Sequence, residues 1–136
     1  MLLFNIFTGC TVDLAFDSVY YSNLASNPTM ARLYQTNAES LGVQFPPLSE
    51  QKEKVLGSTD MGNVSHVMPS IHPVYSIDSM AVNHSYAFTA AVGTDVAHNK
   101  TLIASKALAM TAIDLYCSEE LRKQAKDEFN KTHHIK

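Results

Sequence analysis

The sequence predicts an α/β fold, and three observations predict it. Residues 10–16 alternate with period two, placing Cys10, Val12, Leu14 and Phe16 on one side and Thr11, Asp13 and Ala15 on the other, as in a half-buried strand. A capped run with helical spacing starts at Pro28, and a longer apolar helical run fills residues 102–115. Strand and helix alternating along one chain mark helices laid on a sheet.

Each element has a local reason. Residues 1–7 are apolar but short, with no positive charge ahead of the apolar run. They make a poor secretory signal and read as a buried strand, extending the 10–16 strand or preceding it. Phe7-Thr8-Gly9-Cys10 resembles a bacterial lipoprotein cleavage site, again without the charged start. Ser26-Asn27-Pro28 starts a helix, with a capping side chain and then proline in the first turn. Met30, Leu33, Tyr34, Ala38 and Leu41 recur at helical spacing, and Gly42 ends the run. Residues 43–56 hold Pro46-Pro47 and then mixed charges, a loop or a short solvated helix. Pro69 and Pro73 interrupt the next apolar stretch, so a strand at 71–77 belongs at a sheet edge. Residues 79–94 read as irregular. The 102–115 run is apolar over most of its circumference, which predicts burial against several elements. The chain supplies few strands to cover it, so part of a larger sheet is expected from elsewhere. Ser118-Glu119-Glu120 starts a last helix whose Leu121, Ala125 and Phe129 share a face, with fraying expected from Thr132 onward.

Composition removes several function classes. A chain of 136 residues with 46% hydrophobic and 17% charged residues builds one domain with a real core and is not intrinsically disordered. Net charge is −3, and no basic stripe exists for nucleic acid. No run is long and apolar enough to span a bilayer. Two cysteines in apolar settings, Cys10 and Cys117, point to a reduced, cytoplasmic chain without a reactive thiolate. There is no phosphate-binding glycine loop and no Gly-x-Ser-x-Gly elbow.

The polar candidates lie in loops. His84, within Asn83-His84-Ser85-Tyr86-Ala87-Phe88, carries an imidazole able to ligate zinc, although a lone loop histidine is more often hydrogen-bonded or exposed. Asp60 sits between Gly57 and Gly62, glycines that let a turn present a carboxylate to a ligand or to a metal's outer shell; hydrogen bonding within its own turn is the commoner role. His98, near the start of the long helix, suits a neutral donor to a substrate or a cap contact. His66 and His72 flank Pro69 and face a cleft or solvent; His133 and His134 lie in the tail and receive no role.

Taken in order, Gly57-Ser58-Thr59-Asp60-Met61-Gly62-Asn63-Val64-Ser65, Pro69, His84-Ser85 with Phe88, Gly93-Thr94, Ala97-His98 and the helix over 104–112 resemble the C-terminal pattern of a known family. It is the zinc-dependent aminoacylase and carboxypeptidase-G superfamily of metallopeptidases and amidohydrolases. Within it the chain looks like the Xaa-Arg dipeptidase (aminoacylase-1-like) branch and the bacterial p-aminobenzoyl-glutamate hydrolases. Thr8-Gly9-Cys10-Thr11-Val12 and the helix after Asn27 match as well, so the resemblance covers nearly the whole chain.

The resemblance implies a C-terminal part of a zinc-peptidase-like α/β catalytic domain plus the last strand of an α+β lid. Residues 1–24 would end the lid or dimerisation domain, and residues 25–136 would close the catalytic domain. It implies a metallo-dipeptidase or amidohydrolase with two zinc ions, a dipeptide or N-acyl amino acid as substrate, and a homodimer formed through the lid. His84 corresponds to the family's last metal ligand, while Asp60 and His98 would bind substrate. The other ligands, the bridging carboxylate and the catalytic Glu precede the lid in the family and have no counterpart here, so the chain alone is expected to be inactive. Two alternatives stand beside this reading. One is a non-catalytic relic or partner-binding module offering the 10–16 strand as an open edge. The other is an unrelated small α/β binding domain.

Overall fold

A computed structural model describes residues 20–47 and 59–133, together with Gly9 and Ala15. Among these residues the regular structure is helical: α1 (Pro28–Ser40), α2 (Met61–Ser65), α3 (Tyr86–Val92), α4 (Asp95–Cys117) and α5 (Glu119–Thr132). The expected strand at 1–7 lies outside the described residues, as do all of the expected strand at 10–16 but Ala15 and 48–56 of the expected loop.

The signals at Asn27 and Gly42 bound α1 as expected. Asn27 is extended, and its Oδ1 accepts the Met30 N–H at 3.1 Å, with Pro28 next in line where no N–H is needed. At the other end Gly42 turns left-handed at φ 88°. Its N–H donates to the Glu39 carbonyl at 2.9 Å and the Val43 N–H to the Ala38 carbonyl at 3.0 Å, the paired bonds of a Schellman cap. This cap aims Val43 and Phe45 back over the helix. Tyr34 and Ala38 of α1 meet Ala107 of α4 in the core, with Leu41, Val43, Phe45 and Ile71 packed around them. The Tyr34 and Phe45 rings meet edge to face, 6.4 Å apart.

The α4 helix begins seven residues before the apolar run that predicts it. Thr94 supplies the start, its Oγ1 accepting the Ala97 N–H at 3.2 Å, and Asp95 complements the positive helix end. Ser118 separates α4 from α5 and caps the latter, accepting the Leu121 N–H at 3.3 Å. Arg122 Nη1 donates to the Leu115 and Tyr116 carbonyls at 2.7 and 2.6 Å, satisfying groups at the end of α4. One buried stripe, Ala97, Ala104, Ala107 and Thr111, lets α1 approach closely. α5 then packs against both α1 and α4.

Three expectations are corrected. Residues 71–77 form no strand, because no other strand among the described residues offers a ladder; the segment leans on α4 instead, with the Tyr75 and Thr101 hydroxyls 3.1 Å apart. Residues 79–94 are not wholly irregular, because Ser85 Oγ accepts the Phe88 N–H at 3.1 Å and nucleates α3. The α4 helix is not buried on several sides. Its outward residues Leu102, Ile113 and Tyr116 are 45%, 61% and 87% exposed, since the helices it contacts leave that side uncovered. No helix among the described residues is long and apolar enough to cross a membrane.

Candidate functional site

The three residues singled out by sequence sit on three separate elements. Asp60 immediately precedes α2, is exposed, and its carboxylate caps nothing. His98 is exposed in the first turn of α4, its backbone N–H donating to the Thr94 carbonyl at 2.9 Å. His84 is exposed and left-handed at φ 64°. None of the three side chains hydrogen-bonds to another described residue. Among the described residues no three His, Cys, Asp or Glu side chains gather where a metal ion could sit.

The glycine-rich motif around Asp60 has a different occupation. Its polar side chains grip the extended segment that leads into α1. Asn63 Oδ1 accepts the Ser22 N–H at 2.7 Å while its Nδ2 donates to the Tyr20 carbonyl at 3.0 Å. A side-chain amide thus serves both sides of a backbone, as a neighbouring strand would. Ser65 is fully buried; its Oγ donates to the Gly62 carbonyl at 2.6 Å and accepts the Ala25 N–H at 2.9 Å. His66 Nε2–H donates to the Asn23 carbonyl at 3.0 Å. Gly62 must be glycine here, because a Cβ would overlap the Ser22 carbonyl. His66 thus has a structural role where a cleft-facing role was an open reading.

A second polar junction ties this strap to α5. Asn27 is buried, and besides capping α1 its Nδ2 donates to the Ala125 carbonyl at 2.8 Å. Its N–H donates to the Ser70 carbonyl at 2.8 Å. Glu128 of α5 reaches the N-terminus of α1, accepting the Thr29 N–H at 2.9 Å and an Arg32 N–H at 3.2 Å. Partial burial pushes the Glu128 carboxyl upward, but the Thr29 and Arg32 hydrogen bonds outweigh it and hold the group below the ordinary carboxylate value. His133, given no role from sequence, donates from Nδ1 to the Phe129 carbonyl at 2.9 Å and meets the His66 ring edge to face at 5.0 Å. It borders a cavity of about 10 Å³ between Pro28, Pro69 and Phe129, room for one water molecule and not for a dipeptide.

Sequence reasoning missed Asn63 and Ser65 as clamp residues and Asn27 as a bridge to α5. Only the cap role of Asn27 was legible, from the Asn-Pro pair. The partners of Asn63, Ser65 and Asn27 lie 41, 40 and 98 residues away, so no local spacing reports them.

No family model matches the chain. Two relatives do. The chain is 40% identical over 122 residues to a mouse protein named Xaa-Arg dipeptidase, and 38% identical over 122 residues to its human namesake. Each match takes in 90% of this chain, which spans 28% of the length of either relative. The match leaves out only about a tenth of the chain, so the likeness is not that of one short motif. Over nine-tenths of its length, this chain is similar to a part of the mammalian proteins named Xaa-Arg dipeptidase.

Proposed function

We propose that the chain works as the C-terminal part of a zinc-dependent dipeptidase or amidohydrolase that cleaves an amide bond of a dipeptide or N-acyl amino acid. The observation that carries this reading is the 40% identity to the mouse Xaa-Arg dipeptidase across 122 residues. Dipeptides ending in arginine are the first substrates to try. The division follows the resemblance, with residues 1–24 ending a lid through which two copies pair and residues 25–136 closing a catalytic α/β domain. A cytoplasmic setting accords with the free, exposed thiol of Cys117.

His84 is the residue assigned to metal in the complete enzyme, with two zinc ions in all; Asp60 and His98 are assigned to substrate. The backbone at His84 supports a functional role. A non-glycine residue at φ 64° stands in a sparsely populated region, its ring in solvent and unbonded to described residues. Such outliers gather at sites where something other than stability keeps the residue. With no metal-binding group among the described residues, the chain by itself is proposed to be inert.

A chimera tests this. The matched 122 residues replace the corresponding segment of the mouse relative. The chimera should hydrolyse Xaa-Arg dipeptides, and His84→Ala should lower its turnover at least ~100-fold and reduce bound zinc. Full activity in that variant removes His84 from the site. Turnover by the purified 136-residue chain with added zinc refutes its inertness.

A further inference from the structure

Two non-glycine residues among those described take a left-handed backbone: His84 at φ 64° and Asp78 at φ 56°. The metal assignment accounts for His84 and leaves Asp78 unexplained. Aspartate tolerates this conformation better than most residues, and so does asparagine, so the backbone alone does not call for a charge. Nor does the turn around it. The Asp78 N–H donates to Ser76 Oγ at 3.0 Å, and the Ser76 hydroxyl donates to Asp78 Oδ1 at 3.4 Å. Asparagine would keep both bonds. What the charge does hold is a cation, with Lys100 Nζ 3.3 Å from Asp78 Oδ2. Of the two ion pairs among the described residues, Arg32–Glu128 joins α1 to α5, whereas Lys100–Asp78 ties an irregular segment to the start of α4. The Lys100 and Asp78 side chains are 45% and 54% exposed, so solvent screens the pair and stability gains little from it.

An aromatic side chain is fixed one helix position further on. The Thr101 hydroxyl donates to the Ala97 carbonyl at 2.8 Å, so the Tyr75 hydroxyl is the donor across its 3.1 Å contact with Thr101. Tyr75 is held there with 44% of its surface exposed. Lys100 and Thr101 follow His98 by two and three residues. Less than ~5 Å of helix rise therefore separates these anchors from a residue assigned above to substrate. Resting on the function just proposed, we infer that Asp78 is the specificity acid for a basic side chain of the substrate and that Lys100 occupies its place in the free protein. A guanidinium is the better partner for this carboxylate, because its planar fork can meet both oxygens whereas an ammonium is a point charge. Tyr75 supplies an aromatic neighbour for the bound cation. Entry of an arginine side chain exchanges one cation for another, so the Asp78 carboxylate is paired before and after.

Two measurements test this. In the chimera with the mouse relative, Asp78→Asn should lower the ratio of kcat/KM for an Xaa-Arg dipeptide over the matched Xaa-Leu dipeptide at least ~10-fold. An unchanged ratio, or equal losses on both dipeptides, overturns the inference, the second result marking a purely structural residue. Lys100→Met removes the competing cation and should raise the same ratio; a ratio no higher than that of the parent chimera overturns the placeholder role. In the 136-residue chain, NMR titration with alanyl-arginine should move the amide signals of Ser76, Asp78 and Lys100, and alanyl-leucine should not. Asp78→Asn should abolish that response. Equal shifts with both dipeptides, or none with either, overturn the inference as well. A chimera that hydrolyses neither dipeptide refutes the proposed function. Alanyl-arginine shifts that depend on Asp78 then still uphold the guanidinium seat.

Discussion

The clamp at residues 59–66 and the limb at residues 78–86 overlap the motifs that resemble a peptidase, yet the clamp turns its polar side chains onto a distant segment while the limb turns large apolar side chains to solvent. In the clamp nearly every polar side chain is engaged. Asn63, Ser65 and His66 each bind the backbone of residues 20–25, and Gly62 makes the close approach feasible. In the limb the large apolar side chains stand outward. Met80, Val82 and Tyr86 are 99%, 76% and 97% exposed, and His84 sits among them in a left-handed turn. The difference separates two reasons for a distinctive residue. The clamp is explained by its own fold. The exposed apolar side chains of the limb gain no burial from the elements described.

That contrast fails if clamp substitutions are cheap or limb substitutions are expensive. Gly62→Ala should have the largest effect, roughly 2 kcal/mol or more by urea denaturation, because backbone must move to admit the new methyl. Asn27→Ala comes next at roughly 2 kcal/mol, losing the α1 cap and the buried Asn27 Nδ2 bond to the Ala125 carbonyl. His84→Gly should reverse the sign, stabilising the chain by up to about 1 kcal/mol, since glycine adopts this backbone without strain. A loss of stability there would show that the His84 ring is engaged in the fold after all.

The smallest effect sharpens the clamp side. Glu128 has a carboxyl held below its unfolded value by Thr29 and Arg32. A depressed folded value means the contribution is fully present above the unfolded value and is lost as pH falls through the folded one. Stability measured from neutral pH downward should therefore decline through the acidic range. Glu128→Gln should flatten part of that decline and cost little at neutral pH, because Arg32 is 66% exposed and solvent screens the pair.

The helix boundaries were legible because their causes are local. Asn27-Pro28, Gly42 and Ser118 each act within four residues of themselves, and the structure uses all three. The Ser85 cap was equally local but was masked by the irregular polarity around it. A strand differs from a helix in needing a partner, and 71–77 found none among the described residues. The outer side of α4 is likewise exposed, because the described residues place no element against it. Apolar composition states that a face is suited to burial, and only a neighbour can bury it.

For the candidate site, sequence alone determined which residues carry suitable chemistry: an imidazole at 84, a carboxylate at 60, a second imidazole at 98. It also carried the likeness to proteins named Xaa-Arg dipeptidase, because the order of motifs survives along a chain. The tertiary structure decided how those groups are used. It put Asp60, His84 and His98 on separate exposed elements and turned Asn63 and Ser65 into backbone grips. The physical reason is reach. Caps and helical periods act over a few residues, whereas a clamp across 40 residues exists only once the chain has folded back on itself.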